Sequence, residues 1–163
     1  MALIDEQLVE EWLNRQNFFT IRGIKTGNGE IDLLAVRHNA NGNLDYWHTE
    51  VQVSFRPVGY LGGKSNASKR TAQQLRDGVS QWVERKFTSQ RKIVRRNAIV
   101  PNVNWHYILV HAELRDTTEL KLIESMNVRL VSYKEVLSDL CNDNVKTSSS
   151  IAASIVEILN YTK

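Results

Sequence analysis

The sequence predicts an α/β domain in which a mixed central sheet is flanked by helices. Three observations carry that expectation. The chain opens with helical apolar spacing, three short β-rich runs joined by turn signals follow, and strand-like runs then alternate with helical ones. At 163 residues the chain is long enough to bury a core as a single domain. With 42% hydrophobic and 24% charged residues, disorder, collagen-like sequence and coiled coil are all excluded.

Residues 2–16 read as a helix, because Ile4, Leu8, Val9, Trp12 and Leu13 recur on one face with no Gly or Pro between them. Residues 18–22 read as a short β-rich run, residues 30–36 as a second strand dominated by Ile, Leu and Val, and residues 44–53 as a third strand after the turn signal Asn39-Ala40-Asn41-Gly42-Asn43. Residues 56–70 carry Pro57, Gly59, Gly62 and Gly63 and read as loop. A second helix is expected over 71–87, with Ala72, Leu75, Val79, Trp82 and Val83 on one face. Then come a strand at 103–110, a helix at 118–125, a strand at 128–133 and a helix at 134–141. A polar linker at 142–149 leads to a last helix that Ser150 can cap. The expected organisation is one α/β domain over residues 1–141, with residues 142–163 as linker and C-terminal helix packed on it.

Charge is distributed unevenly along the chain. Net charge is −4 over residues 1–50, +9 over 51–112 and −2 over 113–163. Acids to hold a cation, followed by bases to hold a polyanion, suit a site that acts on phosphodiesters. The single Cys141 rules out an internal disulfide and a Cys-based zinc site and fits a reducing compartment. No stretch reaches membrane-spanning length and the first residues are acidic, so the expected location is cytoplasmic, with no membrane partner.

Asp32 stands out, since it interrupts Ile31-Asp32-Leu33-Leu34-Ala35-Val36, a run apolar on both faces. A carboxylate there is costly, on the order of 2–7 kcal/mol, unless paired or metal-bound. His48, Glu50 and Gln52 share one face of the third strand by period two. Whether Asp32 joins them depends on the hairpin. A two-residue Asn41-Gly42 turn sets Asp32 opposite Val51 and parts the acids. A three-residue Ala40-Asn41-Gly42 loop sets it opposite Glu50, and like charges so opposed make sense chiefly around a divalent cation.

Gly29-Glu30-Ile31-Asp32-Leu33-Leu34-Ala35, then a hairpin, then Thr49-Glu50-Val51-Gln52-Val53 resembles the core motif of the PD-(D/E)XK nuclease superfamily. The pattern is similar to that of small Holliday-junction-resolvase-like nucleases, in a Glu-x-Gln variant, and it covers residues 2–82. The resemblance implies a restriction-endonuclease-like αβββαβ core with extra C-terminal helices. It implies a nuclease that hydrolyses phosphodiester bonds, with DNA as substrate and Mg²⁺ or Mn²⁺ as cofactor. Asp32, Glu50 and the Val51 carbonyl would hold the metal, joined by Glu6 from the first helix. Gln52 stands where the family has Lys and would orient water, and Gln73 or Gln74, with Gln73 preferred as nearer the packed edge of its helix, resembles an auxiliary glutamine of several relatives. The basic residues Arg56, Lys64, Lys69, Arg70, Arg85, Lys86, Arg91, Lys92, Arg95 and Arg96 would hold the nucleic-acid backbone, with Lys64 or Lys69 as sources of the missing charge. A homodimer is an expectation too, since cutting both strands commonly takes two sites. The rival reading is a nuclease-like domain without catalysis that binds nucleic acid or protein.

Residues 59–65 end like a phosphate-binding loop, but the position that needs Gly is Val58. The four histidines show no metal-ligand spacing, and the tryptophans read as core.

Overall fold

A computed structural model describes residues 3–53, 70–114, 116–142 and 149–161. Helix α1 (Leu3–Arg15) leads into β1 (Phe19–Lys25), β2 (Glu30–His38) and β3 (Leu44–Gln52). Next come α2 (Ala72–Val83), a π-helical turn (Glu84–Thr88), α3 (Gln90–Ile99), β4 (His106–His111), α4 (Thr118–Glu124), β5 (Val128–Ser132), α5 (Tyr133–Asn142) and α6 (Ile151–Tyr161). The five strands form one sheet in the order β1-β2-β3-β4-β5. The pairs β1/β2 and β2/β3 are antiparallel, and β3/β4 and β4/β5 parallel, so the sheet is mixed. The expected fold class holds, as does the αβββα order at its start.

Two apolar layers clothe the sheet. Leu8, Val9, Trp12 and Leu13 of α1 pack with Leu33, Ala35, Ile108 and Val110 of the strands and with Val136, Leu140, Ala152 and Val156 of α5 and α6. Burying each such side chain is worth about 1.5–3 kcal/mol, which fixes α1 against the sheet. Ile4, expected in the same stripe, is half exposed. On the other side Val79, Trp82, Val83 and Phe87 meet Leu109, Ile123 and Val128. The Ser150 Oγ accepts from the Ala153 N–H at 3.0 Å, the expected cap of the last helix.

Three expectations are corrected. The second helix ends at Val83 and widens into the π-helical turn instead of running to residue 87. Residues 90–99, read only as a run of basic residues, are helix α3. Its inward positions are Lys92 and Arg96, so its buried face carries charge and hydrophobic spacing misses it. The strand expected from residue 103 begins at His106.

The hairpin between β2 and β3 closes through Ala40-Asn41-Gly42, with the Asn39 N–H donating to the Asn43 carbonyl at 2.8 Å. Gly42 has φ +78°, a left-handed conformation that side chains resist. Leu33 pairs with Thr49, and one step further along this antiparallel register Asp32 falls opposite Glu50. Gly42→Val is expected to cost about 1–2 kcal/mol, read as a lower midpoint in thermal unfolding. No loss would mean the loop tolerates another closure.

Candidate metal centre and its charged support

At the start of β2 and the end of β3, Glu6, Glu30, Asp32, Val51, Gln52 and Lys86 line an open hollow of about 410 Å³. Each element delivers its residue for a local reason. Period two puts Glu30 and Asp32 on one face of β2. The α1 packing above brings Glu6 over the strand ends, whereas Glu10 is drawn away to Thr20 and to Arg22 at 2.9 Å. One carboxylate oxygen each of Glu6, Glu30 and Asp32 lies within 4.8 Å of the others. Asp32 accepts from the Val51 backbone N–H at 2.7 Å.

Burial, with the Glu50 charge adding to it, pushes the Asp32 carboxyl up to about 7. Burial likewise raises Glu6, reinforced by Glu30. Carboxylates that resist ionising together are stabilised by a cation between them. The donors are all hard oxygens, with no sulfur or imidazole, which fits Mg²⁺, Mn²⁺ or Ca²⁺ better than zinc or copper.

Glu50 is fully buried beneath this hollow and its oxygens are engaged. Oε2 accepts from Lys86 Nζ at 3.0 Å, and Oε1 accepts from Lys92 Nζ and from His48 Nε2, the latter at 2.9 Å. Arg96 Nη1 lies 2.6 Å from His48 Nδ1 and 2.6 Å from the Phe87 carbonyl. A guanidinium only donates, so Nδ1 accepts and the proton of this imidazole sits on Nε2, aimed at Glu50. Burial holds the His48 pKa down at about 4, so the ring is neutral at pH 7. Although burial opposes its charge, Glu50 stays ionised and below the usual carboxylate range, because His48, Lys86 and Lys92 outweigh that penalty. Burial also works against the Lys86 charge, but Glu50 and Asp32 hold it above the ordinary lysine value. Lys92 lies below that value, since burial prevails there.

The structure thus gathers Glu6, Asp32, Val51 and Gln52 around one hollow and places Glu50 on the same strand face in an ion-pair network. The acid that completes the oxygen cluster is Glu30, absent from the expected set. Its signal was present in the sequence, two residues before Asp32 on the same strand face. Gln73 is exposed on α2 and donates to Asp77 at 2.8 Å, away from the hollow, and Gln74 closes the capping box with Thr71.

The expected basic surface divides. Arg85, Arg91 and Arg95 are exposed, whereas Lys92 and Arg96 are buried and turned toward Glu50 and His48, and Lys86 borders the hollow. For Lys92 and Arg96 the surface placement is corrected, because buried Glu50 needs counter-charge more than solvent does. Arg70 lies 3.9 Å from Glu119. Arg56, Lys64 and Lys69, and the loop resembling a phosphate-binding motif, lie outside the described residues.

A larger hollow of about 520 Å³ between α1 and α5 has lining residues that pair with one another, Trp12 Nε1 donating to Asp139 at 3.0 Å and Arg15 to the Leu140 carbonyl. Among the described residues no helix is long and apolar enough to cross a membrane.

Neither a family model nor a curated protein sequence matches the chain. Two solved structures are similar to it at low identity. One is the crystal structure of a protein of unknown function, AF1548, at 10% identity and TM-score 0.49, covering 98% of this chain and 100% of that one. The other is the MspJI restriction endonuclease in complex with a 27-mer oligonucleotide, at 9% identity and TM-score 0.40. There 99% of this chain spans 30% of the other.

Proposed function

We propose that the chain is a metal-dependent nuclease that hydrolyses phosphodiester bonds in DNA. The observation that carries this reading is the convergence of Glu6, Glu30 and Asp32 within 4.8 Å. These three carboxylates would hold a divalent cation, which when bound would supply positive charge to a scissile phosphate and a more acidic water. Gln52, on the wall of the same hollow, orients that water through its amide. Hydrolysis adds the hydroxyl to phosphorus and breaks one P–O ester bond, and the departing oxygen takes the proton. Arg85, Arg91 and Arg95 on the exposed side of the helical layer hold neighbouring phosphates. Glu50, fixed by Lys92 and by the Arg96–His48 pair, sets the charge beneath Asp32.

The second reading, a nuclease-like domain that binds DNA without cutting it, is favoured by one observation. The oxygens of Glu50 are already taken by two ammoniums and an imidazole, and Gln52 brings no charge.

Incubating the chain with plasmid and branched DNA in Mg²⁺, Mn²⁺ or chelator separates the two. Metal-dependent cleavage is expected, with binding that weakens as salt rises. Salt-sensitive binding with no cleavage in either metal supports the second reading, and neither binding nor cleavage rejects both.

A further inference from the structure

Two ammoniums reach Glu50, and they are not equivalent. The Lys92 side chain is 6% exposed and sealed beneath the sheet face, whereas that of Lys86 is 26% exposed and borders the hollow shared by Asp32 and Gln52. Among the described residues Lys86 is the one basic side chain that lines this hollow. Glu50 carries one negative charge and meets two ammoniums and the His48 N–H, so the cluster holds more positive charge than Glu50 balances. Lys86 is the ammonium on its wet side.

Resting on the nuclease reading, we infer that Lys86 is a catalytic residue that meets a non-bridging oxygen of the scissile phosphate. It delivers from the helical layer the positive charge that Gln52 on β3 does not carry. Its placement has a local cause. The π-helical turn Glu84–Thr88 is wider than an α-turn, and consecutive residues there turn inward together, Phe87 into the core and Lys86 toward Glu50. An ammonium has three N–H donors. One goes to Glu50, its hydrogen-bond partner among the described residues, so two remain for a phosphate. Lys86 stays protonated throughout. Water adds to phosphorus, the ester bond breaks and the leaving oxygen takes the proton, while the ammonium stabilises the charge that grows on the phosphoryl oxygens.

The test compares wild type, Lys86→Met, Lys86→Gln and the double variant Lys86→Met/Gln52→Lys. Lys86→Gln keeps a neutral donor on the same turn and, compared with Lys86→Met, guards against a result due to misfolding. Three quantities are read on each: single-turnover cleavage in Mg²⁺, duplex affinity in chelator and Mn²⁺ binding by electron paramagnetic resonance. Both single variants are expected to lose cleavage by about 10²–10³-fold, with duplex affinity falling by about tenfold at most, as for one lost phosphate contact, and Mn²⁺ binding within about threefold of wild type. Moving the ammonium onto the strand in the double variant should recover at least about tenfold. Cleavage within about threefold of wild type in Lys86→Gln overturns the inference and leaves the nuclease reading standing. A loss of Mn²⁺ binding in step with cleavage also overturns it, by making Lys86 a support of the metal centre. Absence of cleavage in wild type overturns the nuclease reading and the inference together.

Discussion

Asp32→Asn is expected to reduce metal-dependent cleavage by at least about 10³-fold and to weaken Mn²⁺ binding in parallel, while leaving the fold intact. The amide keeps a carbonyl oxygen for the Val51 N–H, now held at 2.7 Å, so the β2–β3 register survives. What disappears is the charge at the centre of the oxygen cluster. Cleavage that persists in Asp32→Asn would sink the site assignment.

The same substitution has a signature in stability. The carboxyl stands at 3.8 ordinarily and at about 7 here, because burial and the Glu50 charge disfavour ionisation. Between those values the folded chain binds the proton more tightly than the unfolded one. The associated stability is therefore fully present below the ordinary value and lost as pH rises through about 7. His48 works in the opposite sense. Burial lowers it from 6.5 to about 4, so its contribution is present above the ordinary value and lost as pH falls through about 4. The readout is accordingly the difference between wild type and Asp32→Asn in metal-free urea unfolding. Relative to wild type, the variant should gain about 2–3 kcal/mol between pH 5 and pH 8. Because a bound cation favours the ionised cluster, Mn²⁺ should raise the melting temperature of wild type more at pH 8 than at pH 5, and that of Asp32→Asn little at either.

Much of this site was legible in the amino-acid order, because period two is a rigid rule. Asp32 in an apolar run, and His48, Glu50 and Gln52 on one strand face, follow from it directly. The register between the two strands does not. It hangs on whether Gly42 takes up a left-handed conformation inside a three-residue loop, a choice among turns of similar energy that packing of the strand faces decides. Glu30 obeys the same periodicity as Asp32, but a strand's first residue reads as an end, not as part of a site. The basic residues between 85 and 96 were the least legible. Net charge counts charges without their directions, and a helix whose inward positions are Lys92 and Arg96 has no apolar stripe to reveal it. Only the neighbouring buried Glu50 explains why those side chains turn inward, and that contact spans more than thirty residues of sequence.

That network makes Glu50 the position where substitution should cost the most stability. Glu50→Ala leaves the buried Lys92 ammonium without its acceptor and Lys86 without its anchor, and strands the His48 N–H. Removing one partner of a buried ion pair costs about 3–5 kcal/mol, since the desolvated charge left behind has nothing to offset it. The urea midpoint should fall accordingly, by far more than for any exposed arginine of α3. Lys92→Met should cost less, because Lys86 and His48 still satisfy Glu50 and the methionine refills the volume. Combining Lys92→Met with Glu50→Gln should cost less than the two separate losses together, by about 1–3 kcal/mol, the mark of groups that interact directly. Strict additivity would mean that the two side chains do not share a buried charge. A cost below about 1 kcal/mol for Glu50→Ala would place Glu50 in water, where it would be free to join Glu6, Glu30 and Asp32 around a cation.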